Sequence, residues 1–179
     1  MIYCTSYNSP VGSITLASEG KYLNGLWLDG QKYFAGTISE KMVEKDDIPV
    51  FKIIKKWLDN YFAGKNPHID NLPLNPIGSE FRQNVWKILC EIPYGETITY
   101  REIAEKIAHK TGKEKMSAQA VGGAVGHNPI SIIIPCHRVV GTNGSLTGYA
   151  GGIDKKIQLL KIENVDISKF FIPKKSTAL

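Results

Sequence analysis

The sequence predicts a two-part α+β protein: a small antiparallel sheet with one helix over residues 1–76, then a mainly helical part over residues 77–179 that contains a helix-turn-helix. Three observations predict this arrangement. Short alternating segments between turn residues fill residues 2–34, helical periodicity begins at Pro49, and a proline-rich stretch separates the two parts. A chain of 179 residues can form two small domains or one large one.

Composition limits the classes of function to consider. The apolar content is 42%, which is ordinary for a folded protein, and no apolar stretch is long enough to cross a bilayer. The N-terminus lacks the basic and apolar regions of a signal peptide, and three cysteines cannot all pair with one another. We therefore expect a cytoplasmic protein with free thiols, associated with the nucleoid if it is bacterial.

The formal net charge of +5 belongs entirely to the second part of the chain. Residues 1–76 contain eight Lys and Arg against eight Asp and Glu, whereas residues 77–179 contain fourteen against nine. A basic second part favours an anionic partner such as nucleic acid, although a similar excess also occurs on ordinary solvated surfaces.

The first part should fold as a meander of strands followed by a helix. Three alternating segments between turn signals are expected to be strands: 2–7, 11–17 and 22–28. Segment 35–48 is polar and is expected to be a loop with a little helix. Pro49 then begins an amphipathic helix that Gly64 ends.

One face of this helix is an apolar and aromatic stripe that predicts core packing against the meander. The stripe consists of Val50, Ile54, Trp57, Leu58, Tyr61 and Phe62. Residues 66–78 follow with three prolines and little periodicity, which predicts a linker and a domain boundary near residue 76.

Cap residues predict four helices in the second part. The expected N-caps are Ser79, Thr99, Ser117 and Asp154. The corresponding helices should end near Cys90, His109, Val125 and Glu163. Glu102 stands three residues after Thr99, so the two residues should form a capping box.

The helix predicted after Ser117 is nearly all small residues. It includes adjacent Gly122 and Gly123, and each glycine costs about 1 kcal/mol relative to Ala in a helix interior. Close approach to another surface would explain the small residues, and so would tight packing against the preceding helix. Two successive helices in a basic part favour a helix-turn-helix, although the basic loop 110–115 makes the turn longer than is usual.

An apolar run over residues 130–134 leads to a Pro-Cys-His turn and is predicted to be a buried strand. The turn places the Cys136 thiol beside the titratable imidazole of His137 on a rigid element, an arrangement that suits a sulfur aimed at a substrate. The alternative is that Cys136 is an ordinary core residue, because free cysteines are among the most buried side chains.

Residues 135–140 resemble the acceptor motif of the O6-alkylguanine-DNA alkyltransferases. Five further segments match the pattern of that family in its order: 85–87, 92–97, 120–124, 128–129 and 148–152. The resemblance is dense over residues 79–163 and loose over residues 1–65. Such a series is much more specific than a single Cys-His pair. It implies a ribonuclease H-like first part and a winged-helix-like second part.

The resemblance implies a DNA repair protein that irreversibly moves an alkyl group from O6 of guanine, and also from O4 of thymine, to its own cysteine. Cys136 would be the acceptor, His137 would take the thiol proton through a water, and Glu163 would orient His137. Tyr100 would help to rotate the nucleotide and would donate a hydrogen bond to the departing guanine. The implied partner is double-stranded DNA containing O6-alkylguanine, bound by a monomer without a membrane or a cofactor.

The target atom lies inside a stacked duplex, so the resemblance implies that the base is flipped out through the minor groove, with helix 118–125 in that groove. The residues implied to contact the base or the DNA are Ala118, Gln119, Gly122, Asn128, Val139, Tyr149 and Ala150. Among them, Asn128 would tie this helix to the site, and the Val139 carbonyl would line the base pocket together with that of Cys136. Arg138 is expected to form a structural ion pair.

The chain departs from the family pattern at two places. Many members have an arginine where Gln119 stands, and that arginine fills the gap left by the flipped base, so we expect base extrusion to be less well supported here. Some relatives bind zinc in the first part through two Cys and two His. Cys4 has no second cysteine nearby and His68 stands alone, so we expect no metal.

Two other functions compete with this one. A non-catalytic damage binder of the same fold lacks the acceptor cysteine, which this chain has. A Cys-His hydrolase would need an oxyanion hole and would turn over many times. The remaining histidines, His68, His109 and His127, have no partner signature and are interpreted as surface or linker residues, and Cys4 and Cys90 as ordinary thiols.

Overall fold

The computed structural model describes residues 1–174 and confirms the predicted meander in the first part. The strands are β1 (Ile2–Ser9), β2 (Gly12–Ser18), β3 (Leu23–Leu28) and β4 (Met42–Glu44), in the order β3-β2-β1-β4. The first three strands are antiparallel, whereas β4 pairs in parallel with β1. Segment 35–48 was expected to be a loop with a little helix, and this expectation is wrong at β4. The three residues of β4 lie at the edge of the sheet and are half-exposed or exposed, so they do not show the alternation of apolar and polar residues that marks a strand.

The described part of the chain contains five α-helices, and each was predicted. They are α1 (Pro49–Phe62), α2 (Glu80–Cys90), α3 (Tyr100–Thr111), α4 (Ala118–Gly126) and α5 (Ile153–Ile162). The caps at Ser79, Ser117 and the Thr99 capping box are confirmed. Among residues 1–174, no helix has the length and hydropathy needed to cross a membrane.

The predicted cap of α5 is wrong. Gly152, with a φ of 92°, is the N-cap, and Asp154 lies in the first turn without capping the helix. An acidic residue is favourable in the first turn of a helix as well as at its cap, so the sequence alone did not separate the two positions.

Helices α3 and α4 pack together as a helix-turn-helix, and α2 packs against both of them. The Nε1 of Trp86 in α2 donates to the carbonyl of Ala124 in α4 at 2.9 Å. Beside them, β5 (Ile98–Thr99) and β6 (Val139–Val140) form a two-stranded parallel sheet. This sheet joins the start of α3 to the segment that follows Cys136.

The main apolar core runs through both parts of the chain. A smaller cluster in the second part consists of Val140, Leu146 and Leu160. At the centre of the main core, the backbone of Leu26 in β3 accepts from Ser131 N at 2.9 Å and donates to Pro129 O at 2.8 Å. Gln31 Oε1 accepts from Ser131 Oγ at 2.9 Å. The first part thus supports the segment that leads to Cys136. The predicted α+β class, with a sheet part and a mainly helical part, is confirmed.

Candidate active site

The predicted strand before Cys136 is a buried turn. Ile130 makes one bridge to Leu26, and residues 131–134 then turn instead of continuing as a strand. Ile132 has a φ of 70°, a strained conformation for a β-branched residue. The strand prediction failed because a short buried apolar run has the same composition whether it extends or turns.

Cys136 follows this turn, begins a 3-10 helix (Cys136–Arg138) and is only 4% exposed. Asn128 donates through Nδ2 to the Cys136 sulfur at 3.2 Å and to the carbonyl of Ile134 at 2.8 Å. Its Oδ1 accepts from the backbone N–H of Ile130 at 3.0 Å. Asn128 therefore lies between the end of α4 and the sulfur, and its expected role of tying this helix to the site stays a prediction.

The Cys136 thiol is protonated at neutral pH. Burial raises its pKa above the ordinary value of 9.0, and the Asn128 hydrogen bond and the Lys156 charge oppose that rise only in part. Because the thiolate is the nucleophilic form of cysteine, reaction at this sulfur requires a group that accepts its proton.

His137 meets the requirements for that group. It is fully buried, and its Nε2 lies 2.6 Å from Glu163 Oε1, which favours the tautomer with the proton on Nε2. Within residues 1–174, Nδ1 has no hydrogen-bond partner. Burial lowers the pKa of His137 below 6.5, although Glu163 opposes this, so the ring is neutral at pH 7.

Glu163, the C-cap of α5, is held by five hydrogen bonds. Oε1 accepts from His137, from the Tyr61 hydroxyl at 2.8 Å and from Arg138 Nη2 at 3.0 Å. Oε2 accepts from Arg138 Nε at 2.8 Å and from Gly95 N at 3.3 Å. Burial alone would raise the pKa of Glu163, but His137 and Arg138 lower it to about 2. The expected ion pair of Arg138 is confirmed.

The predicted base-pocket residues meet around a loop that follows β6. Tyr100 donates through its hydroxyl to the carbonyls of Thr147 and Gly148, at 3.3 Å each. Tyr149 is buried, and no residue of the described chain hydrogen-bonds its hydroxyl. Burial raises the pKa of both tyrosines, so both remain hydrogen-bond donors at neutral pH. The carbonyl of Ala150 accepts from Lys32 N at 3.0 Å, a contact with the first part.

The α4 residues predicted to contact DNA do not all face outward. Ala118 and Gln119 are exposed in the first turn of the helix. Gly122 is buried within the protein, and its contact with DNA stays a prediction. The neighbouring Gly123 has open space where a Cβ would lie, and it belongs to the outward face. The buried face thus supports the explanation by tight packing, whereas close approach of another surface to the outward face stays a prediction.

Lys156 is a site residue that the sequence analysis missed. It is fully buried, and its Nζ donates to the carbonyls of Val139 and, at 3.1 Å, Thr147. Burial lowers the pKa of Lys156 to about 8. A signal was present in the sequence, because α5 periodicity places Lys156 on the same face as Leu160 and Glu163.

Tyr61 was also missed as a site residue. It was assigned to the core stripe of α1, and its ring is indeed buried, yet its hydroxyl reaches Glu163. Periodicity predicts only which side of a helix is buried, so no sequence signal marks the polar tip of one aromatic residue.

His127 was interpreted as a surface or linker residue without a partner signature, and it lies half-buried at the C-cap of α4. Its ring stacks on Tyr33 with centroids 3.9 Å apart, and its Nδ1 contacts Gly123 O at 2.7 Å. No signal in the sequence predicted either contact.

The structure describes no metal site. Within residues 1–174, no three His, Cys, Asp or Glu side chains come together in a way that could hold a metal ion. Cys4 and Cys90 are free thiols of intermediate burial. Burial raises the pKa of Cys90 to about 11, so this thiol is a weak nucleophile at neutral pH.

Two known sequence families match the chain. Residues 2–76 match the family described as 6-O-methylguanine DNA methyltransferase, ribonuclease-like domain. Residues 80–165 match 6-O-methylguanine DNA methyltransferase, DNA binding domain. The two matches lie on the sheet part and on the helical part that carries Cys136.

Curated relatives match over most of their length. A methylated-DNA–protein-cysteine methyltransferase of Haemophilus influenzae is 40% identical over 164 residues, which are 92% of this chain and 87% of that protein. One from Methanosarcina barkeri is 47% identical over 163 residues, 90% of this chain and 97% of that protein. Among solved structures, Mycobacterium tuberculosis OGT in complex with DNA matches with a TM-score of 0.77 at 40% identity, covering 94% of each chain.

Proposed function

The chain belongs to the methylated-DNA–protein-cysteine methyltransferase family, and on that premise we propose that it repairs DNA by moving a methyl group from O6 of guanine to its own Cys136. One observation supports the assignment of the acceptor above all others. The protonated thiol of Cys136 is followed directly by a buried, neutral His137 that is paired with the ionised Glu163.

In the proposed reaction, the Cys136 sulfur attacks the methyl carbon as the carbon–O6 bond breaks. The thiol proton passes through a water to Nδ1 of His137, and Glu163 stabilises the resulting imidazolium. The electron pair of the broken bond stays with the guanine. A hydrogen bond from Tyr100 stabilises this negative charge until the base is protonated.

The reaction should stop after one methyl group per molecule. Attack on an alkyl carbon leaves a thioether, and water does not displace an alkyl group from sulfur under mild conditions. An acyl group on the same cysteine would leave readily. The nature of the substrate therefore makes Cys136 a stoichiometric acceptor, and the protein is consumed by the repair that it performs.

The base would reach Cys136 by rotating out of the duplex through the minor groove, with α4 in that groove. The exposed Ala118 and the open space at Gly123 support this placement, because small residues suit a narrow groove. Gln119 would lie at the gap that the flipped base leaves in the duplex. Tyr149, Ala150 and the backbone of Val139 would line the pocket, and Asn128 would connect α4 with the acceptor. O4-methylthymine is the proposed second substrate.

The experiment that tests this function is mass spectrometry after reaction. Protein mixed with an excess of duplex containing O6-methylguanine should gain one methyl mass on the peptide that holds Cys136, and repair should stop at one equivalent. Cys136→Ala should still bind the duplex without accepting the group. An unchanged mass would refute the function, and sustained turnover would point instead to a hydrolase.

A further inference from the structure

We propose that Tyr61, supplied by the first part of the chain, is a positioning residue of the alkyl-transfer site and controls how strongly Glu163 favours protonated His137. The inference rests on the proposed function and deepens it. Its basis is a contact between residues 102 positions apart: the Tyr61 hydroxyl donates to Glu163 Oε1 at 2.8 Å. The same oxygen lies 2.6 Å from Nε2 of His137.

The Tyr61 hydroxyl is a permanent donor. Burial, and after it the negative charge of Glu163, raises the pKa of Tyr61 well above 10.0, so the hydroxyl keeps its proton throughout the working pH range. It cannot serve as the base. It shares Oε1 with His137 and with Arg138 Nη2, and it lies 3.4 Å from Nε2 of His137. Each donor on Oε1 reduces the negative charge that faces the imidazole, and the charges of Arg138 and Lys156 also lower the pKa of His137.

This sharing has a direct consequence for proton transfer. A carboxylate with fewer donors is more basic and stabilises an adjacent imidazolium more strongly, which raises the pKa of the histidine. The Tyr61 hydrogen bond therefore helps to keep His137 neutral before reaction. In that state its Nδ1 can receive a proton, while Glu163 remains ionised and can stabilise the imidazolium that forms.

The hydroxyl is held in place by the packing of its ring. Tyr61 is 1% exposed and stacks on Trp57 in α1 with centroids 5.4 Å apart. It meets the rings of Tyr94 and His137 edge-on, at 6.2 and 6.5 Å. The packing of α1 against the sheet thereby fixes the position of the hydroxyl that donates to Glu163. The first part of the chain thus contributes directly to the reaction centre.

The test is Tyr61→Phe in the full chain, with Tyr94→Phe as the matched control. Both changes remove one hydroxyl and keep the ring, but the Tyr94 hydroxyl donates to the carbonyl of Ile162 at 3.0 Å and does not touch Glu163. Single-turnover rates of methyl transfer from an O6-methylguanine duplex are measured against pH, and thermal unfolding reports stability.

We expect the acid limb of the pH–rate profile, where the rate falls as His137 becomes protonated, to move to higher pH in Tyr61→Phe, because the pKa of His137 rises. The variant should therefore be slower than the wild type at pH values near that pKa, and the difference should disappear at higher pH. Tyr94→Phe should keep the wild-type rate and acid limb. An NMR titration of His137 in the unreacted protein should show the same rise in Tyr61→Phe without depending on activity.

The proposal would be overturned if Tyr61→Phe left both the acid limb of the rate and the NMR titration of His137 unchanged. A lower rate alone would not rescue it, because a packing defect would lower the rate without changing the pKa of His137. An equal shift in Tyr94→Phe would overturn it as well. Failure of the proposed function would be recognised separately, because the wild-type protein would then leave Cys136 unmodified by O6-methylguanine.

Discussion

The Cys136 thiol must lose a proton before it can accept a methyl group, and the pKa shifts around it determine where that proton goes. Burial raises the pKa of the thiol, whereas burial lowers that of His137. The hydrogen bonds of Glu163 keep it ionised, with a pKa of about 2. Among these three groups, only the imidazole combines a neutral state with an unpaired nitrogen, so it is the acceptor that the geometry favours.

This arrangement predicts the pH dependence of methyl transfer. The reaction needs neutral His137, so the rate should fall as the pH drops through the pKa of the histidine. Because burial lowers that pKa in the folded protein, the acid limb should lie below 6.5, the value for an unperturbed imidazole. Single-turnover rates in a series of buffers would measure it. An acid limb above that value would contradict the assignment of His137 as a neutral base.

Lys156 should matter for the same sulfur through its charge. Its buried ammonium group lowers the pKa of Cys136, and no carboxylate of the described chain forms an ion pair with it. Lys156→Met keeps most of the apolar volume and removes the charge, so the pKa of the thiol should rise further. The rate with free O6-methylguanine base should fall about three- to fourfold for each unit of that rise, because the smaller thiolate fraction is partly offset by the higher nucleophilicity of a more basic thiolate.

Lys155 provides the matched control on the same turn of α5. Its side chain is half-buried, and its Nζ donates to the carbonyl of Asp29, in the first part of the chain. Lys155→Met should leave the rate with the free base unchanged, since that measurement involves no DNA. Equal losses in the two variants would show that the Lys156 effect is one of folding and not of charge near the thiol.

At the scale of single elements, α4 has two faces with different tasks. Val121, Gly122, Ala124 and Val125 are buried, whereas Ala118, Gln119 and Ala120 are exposed. The N-cap Ser117 accepts from Ala120 N at 3.2 Å and fixes the start of the helix. The exposed first turn is thus held rigidly by the packing of the rest of the helix, which suits an element that enters a narrow groove.

Gln119→Arg should support base extrusion. Arginine is longer than glutamine, carries a charge and has a planar group that can stack in the gap of a lost base. The variant should therefore speed methyl transfer from duplex DNA more than from free O6-methylguanine, which needs no extrusion. Rates measured in parallel with duplex DNA and with the free base test this prediction. An equal effect on both substrates would refute a role for position 119 in base extrusion.

The helices were predictable because cap residues mark their first turns and because apolar residues recur with the helical period along one face. Ser79, Thr99 with Glu102, and Ser117 all behave as caps. The turn at 131–134 was not predictable, since its apolar residues are buried for a reason that depends on Leu26, more than a hundred positions earlier. Long-range contacts of this kind leave no local pattern.

Part of the reaction centre was predictable because two of its residues are neighbours in the sequence. Cys136 and His137 are adjacent in the chain, so their chemistry is visible in a short segment of sequence. Glu163 was found by resemblance alone. Tyr61 and Lys156 reach the site from positions that only the packing of α1 and α5 reveals. Side chains that serve a site from distant elements look like ordinary core or surface residues in the sequence.

At the scale of the whole molecule, the two parts differ in charge but share one core. The sheet part has no net charge, whereas the second part has the whole excess of +5. Among its cations, Lys113 and Lys115 are exposed on the turn between α3 and α4. The first part holds the site together through Leu26 and Tyr61. Attraction to phosphates should therefore come from the helix-turn-helix side.

This division predicts how DNA affinity responds to salt. Lysines that neutralise phosphates release counterions, so log affinity should fall linearly with log salt concentration, with a slope of about 0.9 per phosphate contact. Lys113→Ala or Lys115→Ala should reduce that slope by about 1 and weaken binding to any duplex. Lys41→Ala, an exposed position in the neutral first part, should leave the slope unchanged. Titrations of each variant at several salt concentrations would measure the slopes, and an equal decrease in all three would mean that the sheet part also lies against the duplex.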